Sequence, residues 1–599
     1  MSVKVASITP FVTPGTLTKN AQTLLDAVLK AENEGAQIIN LPKNCFLGES
    51  GCLSARTDVS DAVWEVANIV MAKTRATVTM SVPLYGTQMG IIFDKGELKA
   101  IKPIANSQSE FAVLRKVIED MQPHPPLTGN HRKHAGGGDA NGECNSNGEY
   151  ETDECFVKLE NERVLDLRGD YFVAVKHKIY EFSPKSGKTT VLAIPASYPA
   201  LMGGRENKLR ETAALSAKNG CVVSVCCCGN GETTSDYVRA GDKIIAQNGQ
   251  ILAAEGFDAH SASAVLNAID TKSRYIGKQK YGKTKIELPD YTPRYLPKAS
   301  EITEILDIIS RGITGRMREA GAKKLILGLS GGLDSAMALL SALNTQKYGL
   351  SPSDIICVTM PSHISSNRTK NNAQKLIAAF SVTGLNIPIS AAVTRHLKQI
   401  NHDKTDVVFE NAQARERAQI LLNLANKFGA LVLGTSDLSE AALGFNTYGG
   451  DHLAHYNPNS SLTKSAIRLI LGGVVKNPPF FVPAEAKKTL KSILNTPVSP
   501  ELLKNQRTED ILGDYRLHEY FLLRFMAYGE AGQIIVGGAG KHFKEFSAEY
   551  IQKTYETFIS RFCGSRFKTD FACDGVMLTP FDFTGEKFVS GLSPELFEI

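Results

Sequence analysis

One succession constrains this chain more than any other: an apolar strand, a glycine-rich turn and an apolar helix with nothing between them. Residues 324–329 read Lys-Leu-Ile-Leu-Gly-Leu, then come Ser330, Gly331, Gly332, Leu333, Asp334 and Ser335, and residues 336–343 have the apolar character of a buried helix. Glycine lets a backbone approach an anion closely. The free N–H groups at the helix start, at the positive end of its dipole, hold that anion. Ser330 and Ser335 add hydroxyl donors, and Asp334 is suited to hold Mg²⁺ against a polyphosphate. A Gly-Gly turn alone would be an ordinary connection; two serines and an aspartate between a correctly placed strand and helix point to a nucleotide phosphate site. No Gly-Lys-Ser/Thr follows, which disfavours a kinase or GTPase.

The remainder alternates in the same way. Residues 3–8 are a strand, 19–35 a helix with Leu24, Leu25, Val28 and Ala31 on one face, and 37–41 a second strand. Further strands are expected near 77–84, 90–94, 171–175, 190–194 and 222–228, with a hairpin turning at Asn248-Gly249. Strand–helix–strand order implies parallel α/β layers. A chain of 599 residues exceeds what one core supports, so at least two domains are expected. Residues 130–155 are Gly-, Asn- and Glu-rich and read as a flexible insert. Residues 271–300 lack apolar periodicity and read as a linker, dividing a 1–270 domain from a 301–599 domain.

Net charge is +5 without a basic stretch, which speaks against nucleic acid as a partner. No apolar run is long enough to span a bilayer, and the cytoplasm is the expected location. The 11 cysteines include three in succession, Cys226 to Cys228, inside an apolar run; they read as reduced core thiols. Cys144 and Cys155 lack the paired spacing of a zinc site.

The Ser330–Ser335 loop resembles that of the ATP pyrophosphatases, which split ATP between its α and β phosphates. Downstream come Glu410-Asn411-Ala412-Gln413-Ala414-Arg415-Glu416-Arg417, the strand and loop from Leu431 to Glu440, Gly444 to Asp451, His455 to Asn459, and Lys464 opening a helix. In this order they resemble the NAD synthetases. The resemblance implies a C-terminal parallel-sheet α/β domain of the adenine nucleotide alpha hydrolase type. It implies adenylation of deamido-NAD by ATP with Mg²⁺, then amidation by ammonia to give NAD, AMP and pyrophosphate. It assigns the residues from Ser330 to Ser335, with Thr435, Lys464 and Thr508, to ATP. It gives Asp334 and Glu440 to the metal, Arg415 and Lys568 to deamido-NAD, and Asp451 to the ammonia site. Asp334, Lys464 and Asp451 would be the catalytic set. Thr569 stands where the family has an arginine, and the tail after Asp570 departs from the pattern.

The opening strand and helix, Gly35-Ala36-Gln37 to Pro42, and the stretch from Leu209-Arg210-Glu211 to Gly231-Glu232-Thr233-Thr234-Ser235-Asp236 carry a second likeness: residues 1–270 resemble the nitrilase-like α/β sandwich, a glutaminase, that is fused to the larger NAD synthetases. Such a domain needs a glutamate base, a lysine and a cysteine nucleophile. Aligned on that pattern, Lys43 stands at the base position, Lys102 at the retained lysine and Lys178 at the nucleophile. An ammonium is no base for a thiol, and close lysines repel one another. The expectation is therefore a silent glutaminase that still serves a homo-oligomer, with ammonia arriving from solution or a partner. Three alternatives stay open: a glutamine-hydrolysing enzyme using displaced residues such as Cys45 or Cys226 to Cys228, an ATP-binding scaffold subunit without turnover, and an amide-forming ATP pyrophosphatase with another acid substrate.

Overall fold

The computed structural model describes residues 3–48, 56–84, 87–103, 165–167, 171–175, 189–232, 237–257, 261–266, 295–363, 366–496, 512–569 and 572–579. The 130–155 insert, most of the 271–300 linker, Lys178 and Thr508 lie outside the described residues. So does the side chain of Lys102, although its backbone is in a strand.

Contacts divide the chain into two compact units. The first holds Met1–Ala196, Thr212–Cys228 and Asp242–Ile286; the second holds Ser197–Glu211, Gly229–Gly241 and Glu287–Ile599.

In the first unit, β1 (Val3–Ile8), α1 (Leu17–Asn33), β2 (Ile38–Lys43), α2 (Thr57–Met71), β3 (Thr77–Leu84), β4 (Thr87–Asp94) and β5 (Glu97–Pro103) come first. After them are β6 (Leu165–Leu167), β7 (Tyr171–Val175), β8 (Thr189–Ala196), α3 (Gly204–Asn219, which passes from the second unit to the first after Glu211), β9 (Val222–Cys227), β10 (Lys243–Gln247), β11 (Gln250–Glu255) and β12 (Ser261–Leu266). One six-stranded sheet has the order β12-β1-β2-β3-β4-β5, the other β11-β10-β9-β8-β7-β6. In each sheet three parallel strands, β1-β2-β3 and β7-β8-β9, are flanked by antiparallel neighbours.

The sheets meet through Val3, Val5, Ile38 and Ile92 on one side and Val191, Ala193, Val222 and Ile245 on the other. Leu24, Leu25, Val28 and Ala31 of α1 cover the outer face of the first sheet with Val63 and Ala67 of α2. The apolar spacing read from the sequence is thus the packing face. The hairpin also forms where expected: Asn248 (φ 51) and Gly249 (φ 84) both take the positive φ that a tight two-residue turn requires. Cys45 and Cys226 to Cys228 are buried, and none forms a disulfide among the described residues.

In the second unit, α4 (Ile302–Ala320) leads to β13 (Lys324–Gly328), α5 (Leu333–Asn344), β14 (Ile355–Thr359), α6 (Asn367–Phe380), β15 (Thr383–Asn386), α7 (Ser390–Gln399), α8 (Val407–Phe428) and β16 (Ala430–Leu433). Then follow α9 (Leu438–Leu443), α10 (Lys464–Lys476), α11 (Ala484–Leu494), α12 (Tyr515–Tyr528), α13 (Gly532–His542), α14 (Ala548–Gly564) and α15 (Arg566–Thr569). The four strands form one wholly parallel sheet, ordered β15-β14-β13-β16. The phosphate-loop turn leaves β13 at the carboxyl end of the sheet, where ligands of open α/β folds bind. No helix among the described residues is long and apolar enough to cross a membrane.

Candidate active site

The loop between β13 and α5 is shaped by its own serines. Ser330 Oγ lies 3.0 Å from Ser335 Oγ and accepts the Gly332 N–H at 3.2 Å, while Ser335 Oγ donates to Gly332 O at 3.2 Å. Gly331 has φ +82, and a Cβ there would run into the Thr369 carbonyl of α6. No other residue type fits this backbone and leaves the turn against α6. The helix starts at Leu333, one turn before the apolar stretch, so Asp334 and Ser335 belong to its first turn.

Three further segments converge on Asp334. Asp437 caps α9: its Oδ1 accepts the Glu440 N–H at 2.8 Å, and Glu440 Oε2 accepts the Asp437 N–H at 3.3 Å. This reciprocal pairing sets both carboxylates at one helix start. Lys464 opens α10, whose own cap is Thr463. Asn459 Nδ2 donates to Asp334 O at 3.0 Å and Thr435 O at 3.1 Å, tying the phosphate loop to the loop after β16.

Lys464 Nζ donates to Asp334 Oδ2 at 2.8 Å and Glu440 Oε1 at 2.7 Å, and stands 2.8 Å from Asp437 Oδ2. The lysine side chain is 5% exposed and that of Asp437 0%. Burial would lower the Lys464 pKa, but the three carboxylates outweigh it and hold the ammonium well above its ordinary range. Burial lifts the Asp437 carboxyl, and it lifts Glu440 to about 7, in each case against the attraction of Lys464. One ammonium leaves a surplus of negative charge on three carboxylates. Asp334 Oδ1 is buried without a hydrogen-bond partner among the described residues. One oxygen from each of Asp334, Asp437 and Glu440 lies within 4.8 Å of the others. This all-oxygen set fits a hard divalent cation.

Asp334, Glu440 and Lys464 of the cluster line a cavity of about 850 Å³. Ser330, Gly332, Leu333, Asp334, Ser335, Thr435, Glu440 and Lys464 line it, as do Arg415, Asp451 and Lys568. The sequence-derived set thus gathers around one space large enough for a sizeable small-molecule ligand. Arg415 is exposed to that space, its Nε bonded to Tyr448 O at 3.2 Å. Asp451 lines the cavity, is solvent-exposed, and accepts the Thr447 N–H at 2.6 Å. Lys568 Nζ donates to Gly444 O and Asn446 O, both at 2.7 Å. Burial lowers the Lys568 pKa, against the attraction of Asp451.

Two participants carried no signal in the sequence reading. Asp437 lies unremarked in the strand and loop from Leu431 to Glu440, although its place three residues before Glu440 puts both at one helix start. Tyr515, on α12, lines the cavity from a distant part of the chain. In the first unit, Lys43 ends β2 half-buried, and its carbonyl accepts Cys228 Sγ at 3.0 Å.

A family model described as NAD synthase matches residues 305–557. The glutamine-dependent NAD(+) synthetase of Mycobacterium leprae is 31% identical over 390 residues, a match spanning 57% of this chain and 57% of that protein. The NH(3)-dependent NAD(+) synthetase of Aeropyrum pernix is 31% identical over 225 residues, 35% of this chain and 73% of that protein. The crystal structure of a glutamine-dependent NAD(+) synthetase from Cytophaga hutchinsonii superposes with a TM-score of 0.73 at 15% identity, covering 100% of this chain and 99% of that one.

Proposed function

The chain belongs to the NAD synthetase family, and we propose that it converts deamido-NAD, ATP and ammonia to NAD, AMP and pyrophosphate. The observation that carries this reading is the Lys464 ammonium among Asp334, Asp437 and Glu440, at the foot of a phosphate-type loop and inside one cavity with Arg415, Asp451 and Lys568.

A carboxylate is a poor acyl donor until its oxygen carries a good leaving group. The nicotinate carboxylate of deamido-NAD attacks the α-phosphorus of ATP; the bond from that phosphorus to the bridging oxygen breaks, and pyrophosphate leaves. The N–H groups of the phosphate loop and the hydroxyls of Ser330 and Ser335 hold the phosphates, with Thr435 beside them. Lys464 lies close enough to offset charge on the departing oxygens. Asp334 and Glu440, with Asp437, would hold Mg²⁺, which supplies charge neutralisation on the pyrophosphate. Arg415 and Lys568 hold the deamido-NAD end of the cavity.

Ammonia then attacks the acyl carbon, AMP leaves with the bonding electrons, and the nitrogen loses a proton. Asp451 lines this cavity with an accessible carboxylate, which suits it to orient ammonium and take that proton. Holding ammonia beside the adenylate replaces a bimolecular encounter.

The nitrogen source is ammonia, and the first unit is a silent glutaminase. Lys43 supports this, since its side chain cannot act as the base. Relatives described as glutamine-dependent favour a second reading, in which a displaced cysteine still hydrolyses glutamine. Cys45 and Cys226 to Cys228 are poor candidates: all four are at most 1% exposed, and burial in apolar surroundings disfavours the thiolate.

NAD formation from deamido-NAD and Mg-ATP, supplied with either ammonium or glutamine, tests both readings. Turnover with ammonium alone is expected. Comparable turnover with glutamine, abolished by a thiol-alkylating glutamine analogue, overturns the silent glutaminase. No NAD from either nitrogen source sinks the choice of deamido-NAD.

A further inference from the structure

Glu519 is a carboxylate that the proposed reaction does not use. It stands on α12 and is 1% exposed. Its Oε1 accepts two hydrogen bonds, from Ser439 Oγ at 3.0 Å and from the Ser465 N–H at 3.0 Å. Ser439 Oγ in turn accepts the Lys464 N–H at 3.1 Å. Ser439 immediately precedes Glu440, and Ser465 immediately follows Lys464. One carboxylate oxygen therefore fastens the first turn of α9, which delivers Glu440, to the first turn of α10, which delivers Lys464.

The arrangement accounts for the start of α10. The first amides of a helix have no intrahelical acceptor. Here Lys464 N–H goes to Ser439, Ser465 N–H to Glu519, and Ala466 N–H to Thr463 Oγ1 at 3.2 Å. A negative charge at a helix N-terminus is favourable. Packing alone does not explain the residue: it is buried on a helix whose other buried residues include Tyr515, Leu517, Phe521 and Leu522, and an apolar side chain there would avoid the cost of burying a carboxylate.

We infer that Glu519 is a positioning residue for the Asp334–Asp437–Glu440–Lys464 cluster, setting the spacing of Glu440 from Lys464 and through it the grip on the divalent cation that accompanies ATP. The cation and ATP come from the reading given under Proposed function. The residue touches neither substrate nor cation; it acts through Ser439 and Ser465.

The test uses the full chain, with Mn²⁺ as the probe in the presence of α,β-methylene-ATP, and free Mn²⁺ followed by electron paramagnetic resonance. Glu519→Ala and Ser439→Ala are each expected to weaken Mn²⁺ binding by about 10- to 100-fold, as loss of outer-shell partners does. The double variant is expected to bind no worse than Glu519→Ala, because both changes cut one relay. Glu519→Gln keeps an acceptor oxygen and is expected to bind as wild type does. A Glu519→Ala chain that melts cooperatively and binds Mn²⁺ as tightly as wild type overturns the inference. Should that variant not fold, wild-type affinity in Ser439→Ala overturns it instead. A wild-type chain that binds Mn²⁺ with the analogue but makes no NAD sinks the proposed reaction and leaves the positioning role. One that binds no Mn²⁺ overturns both.

Discussion

Lys464 carries the largest concentration of charge in the site, and its removal tests two properties at once. Lys464→Met leaves Asp334, Asp437 and Glu440 without their ammonium. Adenylation is expected to fall about 10²- to 10³-fold, the usual loss when a donor to developing charge is removed. Mg²⁺ is expected to raise the melting midpoint of this variant more than that of wild type, since the cation then relieves the repulsion alone. Adjacent buried groups give a second prediction. Burial lifts Glu519 from 4.5 to about 7, against hydrogen bonds from Ser465 and Ser439, whereas burial lowers His518 from 6.5 to about 4. Between those Glu519 values the native chain holds a proton that the unfolded chain lacks, so rising pH costs stability. For His518 the unfolded chain holds the extra proton, so rising pH adds stability up to 6.5. The two offset each other below that point, and the Glu519 contribution is lost above it. The melting midpoint of Glu519→Gln relative to wild type should therefore rise between pH 4.5 and about 7 and level off above it; a constant difference counts against a raised Glu519. Asp334 was legible in the phosphate loop itself, whereas Thr435, Glu440 and Lys464 were picked out by the family resemblance. Glu519 was not: it lies 80 positions from Ser439 on a helix whose buried face reads as aromatic core, and nothing local marks a carboxylate that serves two other helices.

At the level of elements, the phosphate loop depends on a glycine and the short α9 on an arginine. Gly331→Ala forces an L-residue into φ +82 and its Cβ into the Thr369 carbonyl. ATP-analogue binding is expected to be lost while the first unit is unaffected, which calorimetry and separate melting transitions would report. The buried Arg566 donates through Nε to Phe562 O at 2.6 Å and through Nη2 to Ala441 O at 3.2 Å and Ala442 O at 2.9 Å. Those last two carbonyls close the six-residue α9, which presents Glu440 from its other end. Arg566→Leu is expected to cost about 2–4 kcal/mol in urea unfolding, in line with hydrogen bonds made by a buried charged group. A smaller loss would mean that α9 is held mainly by its Asp437 cap. Apolar spacing located β1, α1, β3, β7 and the Asn248-Gly249 hairpin in the sequence. It placed the start of α5 late, because Leu333, Asp334 and Ser335 carry phosphate-loop chemistry instead of an apolar face. It also says nothing of how β13 to β16 are ordered, which depends on long-range pairing.

On the scale of the whole chain, the second unit takes in two short stretches from the first half of the sequence, 197–211 and 229–241. Ala200, Met202, Val238 and Ala240 of these stretches are buried, and Met202 N–H donates to Leu578 O at 2.8 Å. The Lys298–Glu206 ion pair at 2.9 Å is exposed and adds little. A fragment of residues 287–599 therefore lacks pieces of its own core. Its melting midpoint is expected to lie below that of the corresponding transition in the full chain; equal midpoints would show the two stretches to be dispensable. A linear reading has no signal for such returns, because strand and helix periodicity reports the period of an element and not the unit it packs in.

That interleaving bears on how a chain of this design can change its nitrogen supply. Excising the first half in one genetic event would also remove stretches that pack in the second unit, since the boundary is crossed within α3 and again after β9. Amino-acid replacement meets no such obstacle: a residue such as Lys43 can arise at the end of β2 while every strand of both sheets remains. On the reading proposed above, in which the first unit is a silent glutaminase, such a unit loses its chemistry far more readily than it loses its place in the gene.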